Sequence, residues 1–255
     1  MRPNRIKQMW RDGKFVTLGW LSVSHGFTAE VMARQGFDAL VVDMQHGLTD
    51  MNDVWPMLQA ISQTDTVPVV RVPWNDPATI MKVLDLGAYA VIVPLVSTVE
   101  EAARAVAACR YPPLGMRSSG PVRAVHYGGS DYLAKANDEI VVMVMIETKE
   151  GIANLDAICA TPGLDAVYIG PSDLSFALGL PPGPDKTDAL HMATCDTIRD
   201  AAHKHGIKAV MHCASAGFAA GAVKRGFDMV MLTSDLASMV AGVRRQLDEL
   251  KAATA

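Results

Sequence analysis

The chain has 255 residues, of which 50% are hydrophobic and 20% charged, with a formal net charge of -4 and a pI near 6.0. That length suits one domain with a sizeable core, and the composition excludes disordered, fibrous and disulfide-scaffold classes. The acidic balance excludes the broad basic surface that nucleic acid demands, so no nucleic-acid partner is expected.

Cys109, Cys159, Cys195 and Cys213 are widely spaced and form no CxxC pair, which reads as reduced thiols in a cytoplasmic protein. The opening Met1 to Gly13 carries Arg2, Arg5, Lys7 and Arg11, but no apolar stretch comes after it that could serve as a secretion signal. The longest apolar runs, such as Ile140 to Ile146, are too short to cross a bilayer, so no membrane partner is expected.

Along the chain, apolar runs predict strands at Val16 to Leu21, Ala39 to Asp43, Val67 to Val72, Ala90 to Leu95, Ile140 to Glu147, Ala166 to Ile169, Lys208 to His212 and Met229 to Thr233. Each run is followed by a helix-like segment, and continuous apolar character is what a parallel strand covered on both faces requires. Eight βα units in this length predict a (β/α)₈ TIM barrel, residues 1–255 forming a single domain. Punctuation agrees. Gly36, Gly87, Gly163 and Gly226 each stand just before a run, where a glycine ends one helix and feeds the next strand. Asp76-Pro77 reads as an N-cap with proline at the first helical position, and Ser97 with Glu100 reads as a capping box.

Two stretches break the rhythm. Tyr111 to Asp138, rich in Pro and Gly, is too long for an ordinary connection and is expected to be a functional excursion. Gly179 to Pro184 is a second such loop. Near the end, Leu236, Met239, Val240, Val243, Leu247 and Leu250 recur at helical spacing, giving an apolar face that the barrel or another subunit must cover.

Because a parallel barrel carries its chemistry at the C-terminal ends of its strands, the polar residues closing each run are the candidates. Run two ends in Asp43, Met44, Gln45 and His46, run three in Arg71, run five in Glu147, run six in Gly170-Pro171-Ser172-Asp173, and run seven in His212. An acid continuing a buried strand needs a positive partner, so Glu147 is either a metal ligand or the ion-pair partner of Arg71. Asp173 is either a helix N-cap or a second ligand. Two carboxylates with water and substrate oxygens suit a hard divalent cation such as Mg²⁺, or a transition ion such as Mn²⁺ or Co²⁺. Asp43 and His46 have the spacing of a carboxylate that orients an imidazole base. Gly170, Pro171 and Ser172 form a turn able to offer N–H groups to a substrate carboxylate. Trp20, Arg71, Arg123 and His212 complete the substrate-binding candidates, with His25 a further histidine at the mouth. No apolar run carries a lysine in its middle; Lys149 lies past run five and Lys208 opens run seven, which disfavours a Schiff base.

In order along the chain, Gly36-Phe37-Asp38, Asp43-Met44-Gln45-His46-Gly47, Arg71-Val72-Pro73, Val93-Pro94-Leu95-Val96, Arg110 to Arg117, Tyr132 to Asn137, Ile146-Glu147-Thr148 and Gly170 to Leu174 resemble the HpcH/HpaI family of class II pyruvate aldolases. The resemblance implies that Glu147 and Asp173 hold a divalent metal, that Arg71 stabilises the enolate of a 2-keto acid such as pyruvate or hydroxypyruvate, and that His46 with Asp43 handles the proton. It implies no organic cofactor, an aldehyde as second substrate, and a homo-hexamer built as a trimer of dimers that exchange C-terminal helices. The chain departs from the family pattern at Gln45, Met145, Ser118 and His212, and the more polar pocket points to hydroxylated substrates. The competing readings are a CoA-thioester lyase of the malyl or citramalyl type, which needs a basic nucleotide surface around Arg110, Arg117 and Arg123, and a non-catalytic barrel that only binds a keto acid.

Overall fold

The computed structural model describes residues 1–254. Its strands are β1 (Val16–Leu21), β2 (Ala39–Asp43), β3 (Val67–Arg71), β4 (Ala90–Val93), β5 (Val141–Met145), β6 (Ala166–Ile169), β7 (Lys208–Met211) and β8 (Met229–Ser234). All are parallel, each pairs with the next, and β8 returns to β1 to close the barrel. Residues of β2 to β6 are buried throughout, inside by one another and outside by helices, which is why their sequences are apolar up to the closing Asp43 of β2 and Arg71 of β3.

The ladder stops earlier than the apolar runs do. β4 ends at Val93 because Pro94 has no N–H to continue it, and β5 ends at Met145, two residues before Glu147. In both places the chain turns over the barrel mouth while still buried. Gly36, Gly87, Gly163 and Gly226 all adopt positive φ between 82° and 101°, as the helix-to-strand turns require.

Helix starts are set by side-chain caps. Asp76 accepts from the Thr79 N–H at 2.9 Å ahead of Pro77. The expected Ser97 and Glu100 box is displaced by one residue: Thr98 caps helix Val99–Cys109 and Glu101 completes the box. Ser97 is otherwise engaged, its hydroxyl 2.7 Å from that of Thr148 beyond β5.

The excursion from Tyr111 to Asp138 lies away from the cavity at the mouth. Helix Val99–Cys109 runs back down the barrel, so the excursion begins at the N-terminal end, and none of its residues lines the cavity at the mouth. The segment folds into helices Ala124–Gly128 and Tyr132–Glu139, and its Arg117 and Arg123 donate to Asp85 and to the Leu86 carbonyl outside it. The same end is closed by helix Arg5–Arg11, whose Ile6 and Trp10 are buried and whose Trp10 indole donates to the Asp228 carbonyl just before β8.

The C-terminal helix Asp235–Thr254 leaves Leu236, Met239, Val240, Val243, Leu247 and Leu250 exposed. Its first residue is anchored, since the Asp235 carboxylate accepts the N–H groups of Ser22 and Val23 after β1, both at 3.0 Å. All four cysteines are free and buried. No helix among the described residues is long and apolar enough to cross a membrane.

Candidate active site

A cavity of about 210 Å³ opens at the C-terminal end of the barrel. It is lined by His46 after β2, Arg71 of β3, Met145 and Glu147 from β5, Gly170, Pro171, Ser172 and Asp173 after β6, Pro184 from the Gly179 to Pro184 loop, and His212 after β7. The fold thus gathers residues from five strand ends into a space sized for a small acid and a short partner.

One wall is a satisfied charge pair. Arg71 donates from Nε to Asp43 Oδ1 at 2.8 Å and from Nη2 to Asp43 Oδ2 at 2.6 Å, a bidentate fork. Asp43 also accepts from the Trp20 indole at 3.1 Å and the Gln45 N–H at 3.0 Å. Burial works to raise its pKa, but the Arg71 hydrogen bonds and charge, with Trp20 and Gln45, outweigh it and hold the carboxyl below its ordinary value. Arg71 also lies 4.7 Å over the Trp20 ring. Its Nη1 has no hydrogen-bond partner among the described residues and is the donor left for the cavity.

This arrangement corrects the expected Asp43 and His46 pairing. Asp43 reaches the backbone N–H of His46, at 3.4 Å, and not its ring. The D-x-x-H spacing therefore makes a turn that returns main-chain donors to the carboxylate, and the imidazole stands in the cavity wall without a hydrogen-bond partner among the described residues.

The opposite wall is unsatisfied. Glu147 is 2% exposed, and its only hydrogen bond among the described residues is to Oε1, from the Leu95 N–H at 3.0 Å. Its Oε2 is buried with no partner. Burial pushes the carboxyl up to about 7, with the Asp173 charge adding to the shift and the Leu95 N–H and Arg71 opposing it. Asp173 is not an N-cap: Gly170 occupies that position of helix Pro171–Ala177, and Asp173 sits in the first turn with no side-chain hydrogen bond among the described residues. Gly170 leaves this oxygen room, because a Cβ there would lie 2.2 Å from Glu147 Oε2.

A divalent cation fits these residues. A buried carboxylate oxygen with no donor, facing a second unpaired carboxylate, is costly unless a positive charge meets it. No group of three or more His, Cys, Asp or Glu side chains poised around one ion occurs among the described residues. Two protein oxygens with the remaining positions left to water and substrate is the usual arrangement for Mg²⁺-like ions.

His212 and Tyr168 form a polar wall that the sequence reading saw only in part. Tyr168, buried in β6, lies 2.7 Å from His212 Nδ1, and the Trp20 ring meets the imidazole edge-on at 5.0 Å. Burial and the Arg71 charge lower His212 to about 4, so the ring is neutral. Tyr168 has no other partner among the described residues, so hydrogen-bond balance assigns its proton to the bond with Nδ1 and leaves the ring's own proton on Nε2. Trp20 itself is 4% exposed and stands behind the wall, holding Asp43 and Arg71 rather than lining the cavity.

Arg123 belongs elsewhere. It donates to the Leu86 carbonyl at 2.6 Å and the Ser62 hydroxyl at 2.7 Å, before β4 and β3, at the end of the barrel remote from the cavity. The guanidinium serves a helix C-terminus there, whose last carbonyls lack intrahelical donors. Arg110 donates to Asp165 and the Ile140 carbonyl, and Arg117 to Asp85 and Tyr132. These three arginines thus make no basic surface for a CoA nucleotide. His25 caps helix Gly26–Ala33 through Nδ1 and does not line the cavity. No lysine lines it either.

Comparison with known proteins agrees with this geometry. The family model described as HpcH/HpaI aldolase/citrate lyase matches residues 17–241. A hydroxypyruvate/pyruvate aldolase of Rhizorhabdus wittichii is 41% identical over 249 residues, covering 98% of this chain and 99% of that one. A 5-keto-4-deoxy-D-glucarate aldolase of Escherichia coli O139:H28 is 43% identical over 180 residues, covering 69% of this chain and 70% of its own. Among solved structures, an HpcH/HpaI aldolase/citrate lyase family protein from Burkholderia cenocepacia superposes with a TM-score of 0.91 at 31% identity, over 97% of this chain and 99% of that one. With the barrel and near full-length similarity in agreement, this chain belongs to the HpcH/HpaI aldolase family.

Proposed function

We propose that this chain is a divalent-metal-dependent aldolase that makes or cleaves the carbon–carbon bond between a 2-keto acid, pyruvate or hydroxypyruvate, and a short aldehyde. The observation that carries the reading is the orphaned, buried Oε2 of Glu147 beside Asp173 in a cavity that also holds a cationic donor. Glu147 and Asp173 would hold the cation. When bound, Mg²⁺, Mn²⁺ or Co²⁺ supplies Lewis-acid stabilisation of negative charge on the keto acid's oxygens.

The chain's own residues do the rest. Arg71, locked by Asp43, presents Nη1 to the keto oxygen, where negative charge develops as C3 loses its proton. Since both oxygens of Asp43 are engaged, the fork cannot swing away during the reaction. His46 is the base: in synthesis it takes the C3 proton, the enolate carbon attacks the aldehyde carbon, and the alkoxide so formed takes a proton back. In cleavage it takes the proton of the C4 hydroxyl, the C3–C4 bond breaks to release the aldehyde, and the enolate is protonated at C3. The first-turn N–H groups of Ser172 and Asp173 lack intrahelical acceptors and are available to the substrate carboxylate.

The donor class follows the Rhizorhabdus relative, and the neutral Nε2–H of His212 supports hydroxylated substrates over purely aliphatic ones. The bare apolar face of helix Asp235–Thr254 supports assembly into dimers and a hexamer.

The test is deuterium exchange at C3 of pyruvate in D₂O with Mn²⁺-reconstituted protein, which needs no knowledge of the aldehyde. Exchange is expected in the wild type and is expected to vanish with chelator and in Glu147→Ala at any Mn²⁺ concentration. Chelator-insensitive exchange, or full exchange by Glu147→Ala, refutes the reading.

A further inference from the structure

Leu95 is one of two non-glycine residues with positive φ among those described, at 55°. An L-residue with a branched side chain occupies that left-handed region only when its surroundings impose it, and such outliers gather where a site needs them. Its side chain gives no reason for the conformation: it is half-buried and does not line the cavity. Its backbone does. The Leu95 N–H, 3.0 Å from Oε1, is the one donor to the Glu147 carboxylate among the described residues.

The surroundings over-determine this turn. Pro94 releases the chain from β4, and Val96 returns to the core at 1% exposure. The Ser97 hydroxyl bridges the Leu95 carbonyl and the Thr148 hydroxyl, and Asn154 donates to the Ser97 carbonyl at 2.8 Å. Thr148 directly follows Glu147, so the loops after β4 and β5 are stitched on both sides of the carboxylate. This engagement of Ser97 is also what moves the capping box on to Thr98.

We propose that Leu95 is a positioning residue whose left-handed backbone, rather than its side chain, aims one amide at Glu147 Oε1 and so fixes the rotamer that leaves Oε2 free for the cation. The inference rests on the reading of Glu147 as a metal ligand. Groups that orient a ligand in this way typically change metal affinity about 10- to 100-fold when lost.

The experiment is calorimetric titration of Mn²⁺ into chelator-stripped protein without substrate, together with the melting temperature of the stripped protein. Leu95→Gly and Leu95→Asn, which tolerate positive φ, are expected to bind Mn²⁺ within about threefold of the wild type, and Leu95→Ala likewise. Leu95→Val, whose branched Cβ resists that region, is expected to bind at least about tenfold more weakly. Leu95→Gly is expected to melt no lower than Leu95→Ala, because it relieves the constraint. Wild-type affinity in Leu95→Val overturns the proposal, as does a loss in Leu95→Gly and Leu95→Ala as large as that of Leu95→Val, which would make the side chain the active part. Should Leu95→Val fail to fold, Leu95→Thr, also branched at Cβ, takes its place in the same comparison. Glu147→Gln separates the two levels: if it binds Mn²⁺ like the wild type, the ligand reading itself fails, whereas its loss of binding beside an unaffected Leu95→Val sinks only the positioning role.

Discussion

Gly170→Ala is the smallest change that tests whether the two carboxylates need the space they have. The Gly170 backbone, at φ −91° and ψ 108°, suits any residue, so the substitution adds one methyl group and no backbone strain. That methyl would lie 2.2 Å from Glu147 Oε2 and 2.8 Å from the Met145 Cε, where ordinary contact begins near 3.4 Å. Something must yield by about 1 Å. Met145 can rotate a flexible terminus, but Glu147 is buried and held from the other side by Leu95, so the carboxylate must leave its present rotamer. Overpacking of this kind costs about 1–3 kcal/mol of stability, within what a domain of this size tolerates. Displacing a reacting group by about 1 Å costs on the order of 100-fold in rate, or about 2.7 kcal/mol. The expected outcome is a folded protein with a slightly lower urea midpoint and Mn²⁺ affinity and C3 exchange both down about 100-fold. A folded Gly170→Ala protein with wild-type Mn²⁺ binding and exchange would show that Oε2 does not meet the cation, and the reasoning for the site would fail there.

Two further outcomes rest on the same geometry. His212 is held neutral, with its pKa lowered to about 4 against roughly 6.5 in the unfolded chain, so it contributes stability that is fully present above pH 6.5 and lost as pH falls through 4. The full span is up to about 3 kcal/mol, and urea unfolding at pH 7.5 and 4.5 should show a smaller acid loss in His212→Phe than in the wild type; parallel losses would count against a desolvated imidazole. Arg123→Ala, in contrast to its expected substrate role, should leave the KM for pyruvate unchanged while lowering stability by about 1–2 kcal/mol, through the unpaired Leu86 carbonyl and Ser62 hydroxyl, and a raised KM would contradict its place in the fold.

The barrel was legible because parallel strands are buried on both faces, and that demand writes itself locally as eight apolar runs separated by glycine turns. The strand ends were legible for the same reason, and with them His46, Arg71, Glu147 and Asp173 as residues of the mouth. Pairing was not. Whether Asp43 meets His46 or Arg71 depends on the register of β2 against β3, which aligns Asp43 with Arg71 and is a long-range property. Tyr168 lay hidden inside an apolar run, because only the placement of His212 after β7 gives its hydroxyl a partner. Arg123 is the misplaced residue, because Pro and Gly announce a turn without saying which end of the barrel it occupies. Leu95 carried no signal at all, since a left-handed leucine looks like any other leucine until its φ is known.

The two acidic walls of the cavity show how such a site is recognised once coordinates exist. Asp43 is as buried as Glu147, both at 2% exposure, yet one is saturated by Arg71, Trp20 and backbone donors while the other keeps an oxygen with none. If stability alone governed the barrel mouth, the better solution would be to pair Glu147 with a cationic side chain or replace it by an apolar residue, as a buried ionised group without donors costs several kcal/mol. The chain instead places glycine at 170 to clear Oε2 and a left-handed leucine at 95 to hold Oε1. One departure from local preference, the left-handed Leu95, and one close approach, at Gly170, converge on the same carboxylate. Features that agree on one carboxylate in this way support the proposed role of Glu147 more sharply than its position at the end of a strand does.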